Sequence, residues 1–160
     1  MKEDLLKMIF YYESCATSDF DIIQWAMNQV ATGSTLELIN RLAEIDRPEP
    51  GEVKKLLCAI IKEKGYDYPD EKALRLYRVK MICEQIVSGK LSPHKGCSLI
   101  SRIESEKDWP NFIADFQILN RDIEAQPCGQ GKFWDEALNG RIAEIAREGI
   151  SSVNQYLDLE

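Results

Sequence analysis

The chain has 160 residues, 44% of them hydrophobic and 29% charged, with a formal charge of −7; this composition supports a folded core without disulfide staples and excludes a disordered or fibrous chain. The acidic sign disfavours duplex nucleic acid, whose phosphates repel it at long range, and favours basic partners. The apolar run from Leu56 to Ile61 falls far short of the ~20 residues that a membrane helix needs, so no membrane association is expected.

Apolar residues recur at the helical period from end to end, and no segment alternates as a strand would. The expectation is an all-α chain of eight or nine antiparallel helices, built as an irregular HEAT-like hairpin array or an orthogonal bundle within a single domain. At the N-terminus, Met1-Lys2-Glu3-Asp4 is acidic where a secretory signal is basic, and the apolar stretch from Met8 to Tyr12 is too short for one. Leu5, Met8, Ile9 and Tyr12 mark a first helix. Phe20, Ile23, Met27 and Val30 form the apolar line of a second, capped by Ser18 and ended by Gly33. Ser34 with Glu37 has capping-box spacing for a third helix carrying Leu38, Ile39, Leu42 and Ile45. After the break at Pro48, Pro50 and Gly51, a fourth runs on Val53, Leu56, Leu57, Ile60 and Ile61 to Gly65.

A fifth helix is expected over residues 70–88, with Leu74, Tyr77, Met81, Ile82 and Ile86 among apolar residues wrapping most of its circumference, as in a central buried helix. Lys72, Arg75, Arg78 and Gln85 form its narrow polar stripe. Ser92 and Pro93 start a sixth helix. Trp109-Pro110 opens a seventh, with Phe112, Phe116, Leu119 and Ile123 on one face. Trp134, Leu138, Ile142 and Ile145 line an eighth after the loop Gln126-Pro127-Cys128-Gly129-Gln130-Gly131, and Ile150, Val153 and Leu157 suit a short last helix. One hairpin is written twice: Val30-Ala31-Thr32-Gly33 leads through Ser34 to Leu38-Ile39-Asn40-Arg41-Leu42, and Ile86-Val87-Ser88-Gly89 leads through Ser92-Pro93 to Leu99-Ile100-Ser101-Arg102-Ile103.

Catalytic vocabulary is thin. Cysteines 15, 58, 83, 97 and 128 are odd in number and lack C-x-x-C spacing, which argues against a disulfide framework or zinc module and for a reducing cytoplasm. Cys58 and Cys83 read as core residues. His94 is the only histidine; it lies three residues from Cys97, but a nucleophilic pair needs an orienting third group that the sequence does not offer. The glycines before Lys132 invite a phosphate-loop reading, yet the pattern is not a Walker A and reads as a linker. Asp19/Asp21 and Asp135-Glu136 are adjacent acids of the kind that favour a helix start rather than divide acid and base roles. No metal, cofactor or catalytic group is expected.

Residues 1–100 hold 15 acids against 14 bases, and residues 101–160 hold 12 against 6, so the excess acidity belongs to the C-terminal part of the sequence. Glu136, Glu144 and Glu148, extended by Asp122 and Glu124, are therefore the candidate partner-binding residues. Trp25, Tyr66 and Tyr68, with the Lys72/Arg75/Arg78 face, are the alternative contacts. In size, charge and lack of catalytic residues the chain is similar to bacterial toxin-immunity proteins. That implies a non-catalytic module neutralising a basic, nuclease-type toxin domain by occlusion. A helical-repeat adaptor or regulatory domain binding a peptide or subunit, and an all-α hydrolase, are the alternatives.

Overall fold

The computed structural model describes residues 2–14, 16–104, 107–125 and 132–159. Among these the chain is all-helical, in eight helices: α1 (Lys2–Glu13), α2 (Asp19–Ala31), α3 (Glu37–Ala43), α4 (Glu52–Glu63), α5 (Glu71–Val87), α6 (Pro93–Ser101), α7 (Phe112–Glu124) and α8 (Lys132–Leu157). No strand occurs among the described residues, and no helix is long and apolar enough to cross a membrane. The helices gather into two units, Met1–Asp70 and Glu71–Glu160.

In the first unit α2, α3 and α4 pack on one another around Ile22, Ile23, Ala26, Ile39, Leu42, Val53, Leu57, Ile60 and Ile61; Leu5, Leu6 and Ile9 of α1 are buried as well. Ser18 opens α2 as the sequence predicts, in a reciprocal cap: its hydroxyl accepts from the Asp21 N–H at 3.3 Å, and its own N–H donates to Asp21 Oδ2 at 2.8 Å. The same arrangement predicted for Ser34 and Glu37 is absent. Gly33 ends α2 at φ 97°, and the Ser34 N–H donates back to the Gln29 carbonyl at 2.9 Å. Ser34 is thereby spent closing α2, and α3 begins after Leu36 with no side-chain cap. In the second copy Gly89 ends α5 at φ 73°, but Leu91 makes the return bond, to Gln85. Ser92 is left to cap α6, accepting from the Lys95 N–H, with Pro93 in the first turn. Both copies are a helix, a five-residue connection (32–36 and 88–92) and a shorter helix.

Helix α2 turns inward a face rotated from the one its apolar spacing suggests, with Ile23 of that line still buried. Ile22, Ile23 and Ala26 are buried, while Phe20, Met27 and Val30 stand 63%, 48% and 38% exposed. The reason is geometric. Ile22 and Ala26 are four residues apart, one turn above the other, and the small Ala lets neighbouring helices approach closely, whereas a face led by Phe20 and Met27 would hold them off.

In the second unit α5 packs against α6 and α8, α6 against α7 and α8, and α7 against α8. Leu76, Val79, Ile82, Cys83 and Ile86 of α5 meet Cys97, Ile100, Trp109, Phe112, Ile113, Phe116, Ile142, Ile145, Ala146 and Val153 in one continuous core. Of the residues expected to be most buried on α5, Tyr77, Ile82 and Ile86 are; Leu74 and Met81 are only half-buried, and Lys80 takes a core position at 2% exposure. Its stem runs along apolar surface and its ammonium lies 5.6 Å from the Tyr77 ring and 3.7 Å from Glu84.

Two glycines set helix spacing here. A Cβ on Gly96 would lie 2.4 Å from Ile86 Cδ1, and one on Gly149 would lie 2.7 Å from the Phe112 ring. Helix α8 continues without a break to Leu157 where a short separate last helix is expected: Gly149 lies inside it against Phe112, and the Ser152 hydroxyl donates to the Glu148 carbonyl at 2.9 Å. Helix α7 starts three residues later than Trp109, which is itself buried in the core.

Candidate partner-binding surfaces

The five acids singled out by charge are all exposed. Glu136, Glu144 and Glu148 stand on the outer side of α8, away from Ile142, Ile145, Ala146 and Val153, and Asp122 and Glu124 lie in the last turn of α7. Their surface is not uniformly negative. Arg141 and Arg147 are exposed on the same helix, Arg141 donating to Glu144 at 2.7 Å, and Asn120 donates to Glu124 at 2.9 Å. Glu144 first, then the fields of Glu148 and Asp115, hold the Arg141 guanidinium above its ordinary range. Exposed pairs of this kind add little stability, so their main effect is to neutralise part of the patch.

Folding also redistributes charge. The acids after residue 100 share a unit with the bases of α5 and α6, so Glu71–Glu160 carries 14 acids against 12 bases, −2, whereas Met1–Asp70 carries 13 against 8, −5. Each partition sums to −7, but in the folded chain the first unit is the acidic one.

The basic stripe of α5 is divided in the same way. Arg78 is exposed, but Lys72 reaches Asp108 at 2.5 Å and lies 5.8 Å over the Tyr156 ring, while the Arg75 guanidinium lies 5.6 Å from the Trp109 ring. Tyr156 donates to the same Asp108 oxygen at 3.2 Å. Lys72, and secondarily its own backbone and Tyr156, hold the Asp108 carboxyl below its usual range, and Asp108 in turn raises the Lys72 ammonium. Asp108 and Tyr156, already engaged with one another, line part of an open depression of about 400 Å³ beside Trp109.

In the first unit the Tyr68 hydroxyl donates to Glu13, whose same oxygen pairs with Lys54 at 2.8 Å, which ties the segment after α4 to the end of α1. Burial first and the Glu13 charge second push the Tyr68 phenol up, and the Lys54 contact pulls the Glu13 carboxyl down. Tyr68 is therefore an internal anchor rather than a free contact, and its neighbour Tyr66 is half-buried. Trp25 is half-buried too, its indole nitrogen without an acceptor among the described residues.

The remaining chemical candidates are absorbed by structure. Cys97 is fully buried and its thiol donates to the Phe116 carbonyl at 3.4 Å; burial raises it to about 11, so it is held as a thiol and offers no thiolate to pair with His94. Asp21 is committed to the α2 cap, and its backbone bond to Ser18 holds the carboxyl low. No cluster of metal-binding side chains occurs among the described residues. Cys128 and the rest of the glycine-rich loop lie outside the described residues, as do the side chains of Lys132, Trp134 and Asp135.

The exposed stripe of α2 is not legible in the sequence, because its spacing matches a core face equally well. The available signal was the pair Ile22 and Ala26, a second line on the same helix with the smaller residue at its close-approach position. Comparison of the chain with protein-family models, with curated proteins and with solved structures gives no match.

Proposed function

We propose that the chain is a non-catalytic protein-binding module that occludes a basic partner, and that its most concrete form is a toxin-immunity protein holding a cationic, nuclease-type toxin domain in the cytoplasm. The observation that carries this reading is the exposed row Phe20, Met27 and Val30 on a helix of the more acidic unit. A net-negative body speeds encounter with a cationic protein, and water-exposed apolar side chains supply the contact that slows its escape. Free thiols at Cys58, Cys83 and Cys97 suit a reducing compartment.

Capture of partners by the full chain from its source cells, at about 50 mM and about 0.5 M salt, tests the reading, because screening at the higher salt shortens the electrostatic range to a few ångströms. The expected result is a stoichiometric protein whose bound domain is strongly basic and whose association slows at high salt. Retention of an acidic protein or of nucleic acid, or capture indifferent to salt, overturns it.

A further inference from the structure

The exposed face of α2 has the dimensions and polarity of a helix-docking strip. Phe20, Met27 and Val30 are separated by seven and three residues and so lie along one side of the helix, over about 15 Å at 1.5 Å per residue. The buried Ile23 lies between Phe20 and Met27 on the same side. Gln24, Asn28 and Ala31, also exposed, border the strip, and Gln24 donates to Asn28 at 3.4 Å. The rim on α2 is thus composed of amides and a methyl group and carries no fixed positive charge.

The charges carried by α2 and its hairpin partner α3 are mostly negative. Phe20, the most exposed large apolar side chain among the described residues, sits between Asp19 and Asp21, and α2 contains neither Lys nor Arg. Its C-terminal end, where carbonyls concentrate negative potential, has no basic residue in the last turn. Helix α3, packed on α2, and its C-cap add exposed Glu37 and Glu44 against the single Arg41, so the hairpin from Asp19 to Glu44 holds four acids and one base. A second copy of the chain would bring the same negative hairpin to this face, and like charges in apposition oppose such pairing. A partner that is apolar along one side and cationic around it meets both features.

We infer that the α2 strip receives an amphipathic basic helix of the partner, its apolar residues seated on Phe20, Met27 and Val30 and its Lys and Arg directed to Asp19, Asp21, Glu37 and Glu44. This assignment rests on the proposed function and names the surface and the recognised element. The binding mode is helix against helix, read through anchors spaced at helical intervals. Long-range attraction comes from the acids, and the lifetime of the complex comes from burial of the three side chains.

The test uses the full chain and a labelled model peptide of about 18 residues, with Leu at i, i+3, i+4 and i+7 spacing and Lys elsewhere. Fluorescence anisotropy at low salt is expected to show saturable binding, weakened about tenfold by Phe20→Ser, by Met27→Asp and by Val30→Ser. Met27→Asp is the sharpest of these, since its added negative charge favours a cationic peptide and only loss of the apolar contact opposes it. Because all three side chains are exposed, circular dichroism and thermal midpoint are expected to stay at the parental values. A peptide with Glu in place of Lys is expected to bind at least about tenfold more weakly, and the variant Glu136→Lys/Glu144→Lys/Glu148→Lys is expected to leave binding of the Lys peptide within about twofold. Equal binding of the Glu peptide, indifference to all three α2 substitutions, or self-association of the chain that Phe20→Ser abolishes overturns the inference. The two failures separate cleanly: if capture of a basic partner persists while α2 substitutions do nothing, the surface is wrong and the function stands; if no basic partner is captured, the function fails whatever the peptide does.

Discussion

Three glycines of the second unit sit in helices, and their surroundings give them opposite values. Gly96 and Gly149 face Ile86 and Phe112 so closely that a methyl group forces those side chains or the helices to move, so Gly96→Ala and Gly149→Ala should each cost about 1–3 kcal/mol in denaturant unfolding. Gly140 meets nothing, and Gly140→Ala should raise stability by about 0.5–1 kcal/mol through helix propensity alone. The buried thiols give a second residue-scale expectation. Burial raises Cys83 to about 12 and Cys97 to about 11, against an ordinary value near ~8.5. Below that ordinary value both the folded and the unfolded chain hold the proton and these groups add no pH dependence. Above it the unfolded chain releases the proton first, so stability falls as pH rises from about 8.5 towards 11. Thermal midpoints over pH 8–10.5 should decline, and Cys97→Ala should decline less steeply; equal slopes would contradict the assignment. In native buffer Cys83 and Cys97 should also resist thiol labelling until denaturant is added.

At the scale of elements, α2 and α8 are where spacing and structure part company. The face of α2 is decided by paired substitutions: Ile22→Ala should cost about 2–5 kcal/mol, while Phe20→Ser and Met27→Ser should stay within about 0.5 kcal/mol of the parent. The reverse ranking would restore the face that apolar spacing alone suggests. Continuity of α8 has its own test. Ser152 lies inside one helix that runs to Leu157, so Ser152→Pro removes an intrahelical bond and should cost about 3 kcal/mol or more, with loss of helical signal. A break before a separate last helix would have tolerated the proline. Helix α5 shows a milder departure: Lys80, polar by composition, is buried because a long stem lets its body fill core space while its ammonium reaches Glu84 and the Tyr77 ring.

For the whole molecule the deciding quantity is where charge collects once the helices have assembled. Reversal of Glu136, Glu144 and Glu148 and reversal of Glu44, Asp46 and Glu63 change net charge equally, so a difference between them reports location rather than total field. All six are exposed, and the second trio sits in the unit that carries −5. Under the proposed function, Glu44→Lys/Asp46→Lys/Glu63→Lys should slow association with a basic partner several-fold more than the α8 trio at low salt, with the two converging near 0.5 M. Stopped-flow association rates at several salt concentrations measure this directly. A larger effect from α8 would return the interface to Glu136, Glu144, Glu148, Asp122 and Glu124.

By itself the sequence determined the all-helical class, the places where α4 and α5 begin and end and where α6 begins, and the repeated hairpin. These depend on interactions within a few residues: 3.6-residue periodicity, Ser and Pro at helix starts, Gly at helix ends. It also determined the core of α4, whereas on α7 Ile113, off the expected apolar line, is buried and Leu119 and Ile123, on it, are only partly so. Tertiary structure alone decided how far the buried face of α2 is rotated from its apolar line, that α8 runs unbroken past Gly149 to Leu157, that Ser34 closes one helix rather than opening the next, and that Lys80 belongs inside. It decided the charge balance as well, since acids and bases far apart in the chain fold into the same unit. The common reason is that burial and local field depend on what a neighbouring element brings to within a few ångströms, and helical periodicity carries no record of the neighbour.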